Sequence, residues 1–174
     1  MRLGGRFLLA VLVVVVLWFG PSPAATQPFP RVRATLTGYE ETPTLSTAAS
    51  GSFVAHIGAD AIDYELSYEG VQTGVLQAHI HLGRPAISGG ISAFLCSNLP
   101  SPPPGTPACP TTSGTVTGTI TPSSVIGPAG QGIAAGEFDE LVRAILNGAT
   151  YANVHSTAFP AGEIRGQITG VAGN

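Results

Sequence analysis

The chain has 174 residues, with seven Arg and no Lys set against ten acids, for a formal net charge of −3. That acidic balance, with no cluster of basic side chains, excludes nucleic acid and an anionic membrane surface as natural partners. Charged residues make up only 10% while 44% are hydrophobic and 23 are Gly. The mix excludes a disordered chain and favours a sheet-rich fold with many turns.

Residues 1 to 24 read as an export signal. Arg2 and Arg6 form a basic start, Phe7 to Phe19 an apolar run, and Ser22 and Ala24 the small residues of a cleavage site after Ala24. The alternative is an uncleaved anchor, although the apolar run is short for a bilayer. Cleavage removes two arginines and no acid, leaving five Arg against ten acids and no stable membrane span. A linker, 25 to 31, then leads into one β domain expected over 32 to 170, with 171 to 174 as a tail. What remains after cleavage is enough for one core and too little for two comfortable ones.

Strands are predicted at Val32 to Gly38, Gly51 to Ile57, Ala61 to Tyr68, Leu76 to Leu82, Ile91 to Cys96, Gly114 to Thr121, Thr150 to His155 and Glu163 to Thr169. In the third, Ile62, Tyr64, Leu66 and Tyr68 share one face, with Asp63, Glu65, Ser67 and Glu69 opposite, so one side is buried and the other wet. His56 alternates with Phe53 and Ala55 in no motif and is expected to face solvent. Glu40-Glu41 before Thr42-Pro43 reads as a strand-end turn. The fold class is all-β: an antiparallel, Greek-key-like sandwich or barrel of about eight strands with one short helix.

Cys96 and Cys109 are the only cysteines. In an oxidising compartment they should pair, stapling a loop whose prolines forbid regular structure. Ser123 to Ala135, rich in Gly, Pro and Ala, reads as a loop. The helix is placed at Glu137 to Leu146, with Phe138, Leu141, Val142 and Ile145 at helical spacing, acids in its first turn and Asn147-Gly148 as its stop.

Chemistry concentrates in Gln77-Ala78-His79-Ile80-His81-Leu82-Gly83 and Tyr151-Ala152-Asn153-Val154-His155. Period-2 alternation turns Ala78 and Ile80 inward and His79 and His81 outward onto a wet face. The same rule puts Tyr151, Asn153 and His155 outward on a second strand, and Glu163, Arg165 and Gln167 on a third. No local signal pairs the first of these strands with the other two. If they are neighbours, His79, His81 and His155 can hold copper or zinc as three neutral imidazoles with an open position. Glu163 is then a fourth ligand or a tautomer-fixing acceptor, with Arg165, Asn153 and Tyr151 around it. Affinity is expected to fall below pH about 6.5, where protons compete for the ring nitrogens. Alternatively, the three histidines only knit the sheet by hydrogen bonds. No phosphate loop, nucleophile elbow or thiol–imidazole pair appears.

Four segments together carry a family resemblance: Leu36-Thr37-Gly38-Tyr39-Glu40-Glu41-Thr42-Pro43, Ala78 to Gly83, Tyr151 to Ser156, and Gly162-Glu163-Ile164-Arg165-Gly166-Gln167-Ile168. In that order the chain resembles the CHRD domain, the module first named from chordin, from about Val32 to Gly170. The cysteine pair around a proline-rich loop is similar to secreted bacterial members. The resemblance implies a β-sandwich-like module used outside the cell, with an extracellular protein or surface as partner, and does not imply an enzyme. The His-x-His strand is also similar to that of copper–zinc superoxide dismutase, without its further ligands. Three functions therefore stand open: a binding module holding a metal, a copper- or zinc-dependent extracellular enzyme, and a structural surface protein without metal.

Overall fold

The computed structural model describes residues 30–171. The expected export segment, most of the linker and residues 172–174 lie outside them. Eight principal strands form one antiparallel sheet: β1 (Arg31–Thr37), β2 (Ser50–Ile57), β3 (Ile62–Glu69), β4 (Val75–Leu82), β5 (Ile91–Ser97), β6 (Gly114–Ile120), β7 (Thr150–Ser156) and β8 (Ile164–Gln167). A two-residue strand, β9 (Thr169–Gly170), adds to β1. The order is β5-β4-β7-β8-β1-β2-β3-β6, and the terminal strands β5 and β6 lie side by side, so the sheet curls into a nearly closed barrel. The buried Tyr64 hydroxyl donates to the Leu95 carbonyl at 2.6 Å, tying β3 to β5.

Side-chain alternation explains the core. Val32, Ala34 and Leu36 from β1, Phe53, Ala55 and Ile57 from β2, and Ile62, Tyr64 and Leu66 from β3 are all buried in one apolar cluster. On the outer face of β3, Asp63, Glu65 and Glu69 are exposed, and His56 on β2 is exposed as expected. Two interior strands, β4 and β7, depart from this one-sided pattern. Every residue of β7 is buried, as are four consecutive residues of β4 from Ala78 to His81.

The helix α1 (Phe138–Leu146) starts one residue later than predicted and sinks Phe138, Leu141 and Ile145 into the same core. Asp139 and Glu140 stand in its first turn, where the helix dipole favours negative charge. Gly148 ends it in the left-handed region at φ 62°, a conformation that costs Gly nothing. The segment before it, expected to be a loop, contains two short 3-10 turns, Pro122–Ser124 and Ala129–Gln131. Among the described residues no helix is long and apolar enough to cross a membrane.

Cys96 and Cys109 form the expected disulfide, with Cα atoms 5.0 Å apart. Asn98 reinforces it. Its amide donates to the carbonyls of Val75 and Cys109 at 2.9 and 3.1 Å, and its carbonyl accepts from the Cys109 N–H at 3.1 Å. Replacing both cysteines by Ala is expected to cost about 3 kcal/mol, the chain entropy released by opening a loop of this size. Urea unfolding of the two proteins checks this, and coincident midpoints would show that the staple adds nothing to the fold.

Candidate metal centre

The sequence leaves one question open, whether the strand of His79 meets that of His155, and the pairing answers it. β4 pairs β7 antiparallel, with Gln77 opposite His155, His79 opposite Asn153 and His81 opposite Tyr151. β7 in turn pairs β8, with Asn153 opposite Arg165. Three strands thus carry the predicted side chains together.

The face they share is dry, contrary to the alternation-based expectation of a wet one. His79, His81 and His155 are 0%, 7% and 6% exposed. Alternation reports which residues share a face, and says nothing of what covers it. Three connections fold back over this one: the β1–β2 segment bearing Glu41 and Thr42, the β4–β5 loop bearing Gly89, and the β7–β8 loop bearing Pro160.

Two bulges aim the first histidine pair. The β4–β5 register slips between Ala78 and His79 and again between Ile80 and His81, so β5 carries an extra residue at Leu95 and at Ser92. Bulges increase local twist and redirect the neighbouring side chains. Phe94 is thereby brought opposite His79, and its ring meets the imidazole edge-on at 4.4 Å.

Hydrogen bonds then set the tautomers. Nδ1 of His81 lies 2.9 Å from the Gly89 carbonyl, and Nδ1 of His155 lies 3.0 Å from the Pro160 carbonyl. A carbonyl only accepts, so both Nδ1 atoms carry the proton and both Nε2 atoms present bare lone pairs. Gly89 is needed for this approach, because a Cβ there would lie 1.7 Å from the Leu82 carbonyl oxygen. The Nε2 lone pair of His155 faces Nδ1 of His79 at 3.2 Å. Nε2 of His79 and Nε2 of His81 are buried without a partner, and each such orphan costs about 1–3 kcal/mol.

The three imidazoles form a group whose ligand atoms all lie within 4.8 Å of one another. Two nitrogens at the His79–His155 separation of 3.2 Å, each about 2.05 Å from one ion, subtend an angle of about 103°, near tetrahedral. The third imidazole, His81, belongs to the same group. The residues present therefore fit a copper or zinc ion.

Protonation does not compete at ordinary pH. Burial, with the neighbouring His155 and His81 rings, pushes His79 down from 6.5 to about 2. Burial also brings His81 down to about 4 against the opposing Gly89 bond, aided by His155 and Arg165. His155 is lowered by burial, opposed by its Pro160 bond. All three rings are neutral, as ligands must be. Protons would therefore compete with an ion at these rings only below the ordinary imidazole range, not at it.

The surrounding polar residues divide into two groups. Tyr151 stacks flat on His81, with centroids 4.8 Å apart, and the Arg165 guanidinium lies 3.5 Å from the centre of the same ring. Arg165, 2% exposed, also donates to the carbonyls of Arg84 and Ile87 at 2.9 and 3.0 Å and so holds down the loop that positions Gly89. Asn153 donates to the Glu41 carboxylate at 2.5 Å and to the Ile164 carbonyl at 2.9 Å. Glu163 is engaged elsewhere: its carboxylate accepts from the Thr47 hydroxyl at 2.9 Å and the Gln72 N–H at 3.1 Å, and it is not in the three-histidine group.

Sequence reasoning gave no role to Glu41, read as part of a turn, or to Phe94, Gly89 and Pro160. Glu41 is buried, which raises its carboxyl pKa against the lowering influence of the Asn153 bond, the Thr42 backbone and Arg165. Its place in the Glu-Glu-Thr-Pro segment was the one available signal. A backbone carbonyl that fixes a tautomer leaves no mark in the sequence at all.

Neither the curated proteins nor the solved structures contain a match to this chain. The CHRD domain family model matches residues 32–168. That span runs from β1 through β8 and includes every side chain of the histidine site, and the chain belongs to the CHRD domain family.

Proposed function

We propose that this protein is an exported CHRD-type binding module that holds one copper or zinc ion through His79, His81 and His155. The observation that carries this reading is the convergence of three buried neutral imidazoles, two of them locked with their lone pairs bare. A purely structural cluster would be expected to satisfy its buried ring nitrogens, yet Nε2 of His81 has no partner while its Nδ1 is held by the Gly89 carbonyl. The disulfide supports an oxidising compartment, as an exported protein would meet. Near-complete burial of the ligands favours binding over turnover, since a metal enzyme needs an exchangeable position that substrate can reach.

Calorimetric titration of the purified protein with copper and with zinc tests this. About one equivalent is expected to bind, and His79→Ala combined with His155→Ala should weaken binding by about 10³-fold or more, as two of three ligands are lost. Equal, weak binding by both proteins would remove the metal from the account and leave a structural module.

A further inference from the structure

Resting on that metal reading, we infer that the site is built for monovalent copper in preference to any divalent ion. The argument is one of charge. All three ligands are neutral, and among the described residues no carboxylate joins their group. The outer acceptors that orient His81 and His155 are neutral backbone carbonyls of Gly89 and Pro160, where a carboxylate would offset the charge of the ion. Glu163 is held by Thr47 and Gln72, and Glu41 by Asn153. The charge that acts on His81 is positive, from Arg165 on the far side of the Tyr151 ring.

An ion at this point is removed from water with no counter-charge beside it. The cost of that removal grows with the square of the charge, so a divalent ion bears about four times the penalty of a monovalent one. Imidazole nitrogens suit copper as they suit zinc, iron and nickel, so the choice among them falls to charge and coordination number. Three nitrogens without a fourth protein ligand also match the low coordination that monovalent copper accepts, and the Phe94 ring packed against His79 closes one side with apolar carbon. Copper held in this way is shielded from oxidation, because its divalent form is the one that the site disfavours.

The test uses the full chain without oxygen, with ascorbate in the Cu(I) titration alone, where it keeps copper monovalent while leaving the disulfide intact. Affinity for Cu(I) is read by competition with bicinchoninate, and affinities for Cu(II) and Zn(II) by competition with nitrilotriacetate. Cu(I) is expected to bind at least about 100-fold more tightly than Cu(II), which places the potential of the bound copper about 120 mV above that of the free ion. Phe94→Glu sets a carboxylate beside His79 and leaves all three ligands in place. It is expected to narrow the Cu(I) to Cu(II) ratio by about tenfold or more, with circular dichroism confirming the fold. If that variant unfolds, Ile91→Glu opposite His81 serves the same purpose.

Tighter binding of either divalent ion, lost on replacing His79 and His155, would overturn the inference while leaving the metal reading intact. A ratio unmoved by the added carboxylate would overturn it too, since charge would not be the cause. Failure to bind any of the three ions would remove both.

Discussion

Between pH 6.5 and pH 4 the metal-free protein is expected to lose about 6 kcal/mol of stability, enough to unfold it. In the native state the His79 and His81 rings resist protonation down to about 2 and about 4, whereas in the unfolded chain they protonate near the ordinary value of about 6.5. Over that window the unfolded state binds more protons, so acid favours unfolding, by about 1.4 kcal/mol per pH unit for each ring. His155 adds to the slope in the same direction. Glu41 opposes it: its raised pKa means that the folded state takes up that proton first, a contribution that grows as pH falls and is limited to one group. Urea midpoints measured at pH 7, 6, 5 and 4 test this. His79→Phe, which keeps an aromatic ring in the cavity, should flatten the slope by about one third, and a profile already flat in the parent protein would contradict buried neutral imidazoles. A bound ion occupies the same lone pairs and should move the acid transition downward.

Arg165→Ala is expected to destabilise the fold by about 3 kcal/mol, the sum of a core-sized cavity and lost donors. The guanidinium joins β8 to the β4–β5 loop through the Arg84 and Ile87 carbonyls and to the Thr42 hydroxyl, while lying against Tyr151. Its planar fork reaches these partners from one side chain. Arg165→Lys should therefore recover little, because an ammonium cannot repeat that geometry or stack on the ring. Urea unfolding checks both variants. Midpoints within experimental error of the parent would mean that the loop is held by other contacts and that Arg165 is dispensable.

The strands were legible because both signals that mark them were present. Ile62, Tyr64, Leu66 and Tyr68 alternate with charges, Gly and Pro punctuate the ends, and the observed bounds differ from the expected ones by a residue or two. The helix was legible from Phe138, Leu141 and Ile145, all buried as their spacing predicted. Pairing of β4 with β7 was not legible, since His79 and His155 are 76 residues apart and no local signal links them. Burial of the histidine face was misread for a related reason. Its cover comes from loops anchored by Arg165 and Asn153, and their docking depends on the assembled barrel. The bulges at Leu95 and Ser92, which bring Phe94 against His79, interrupt the alternation that sequence reading relies on.

The most direct test of the metal site is X-ray absorption at the copper or zinc edge of the metal-loaded full chain. One ion per chain, with about three imidazole nitrogens near 2.0 Å, is the expected result. A shell of oxygen atoms alone, or a nitrogen shell that persists when His79 and His155 are both replaced by Ala, would contradict the site.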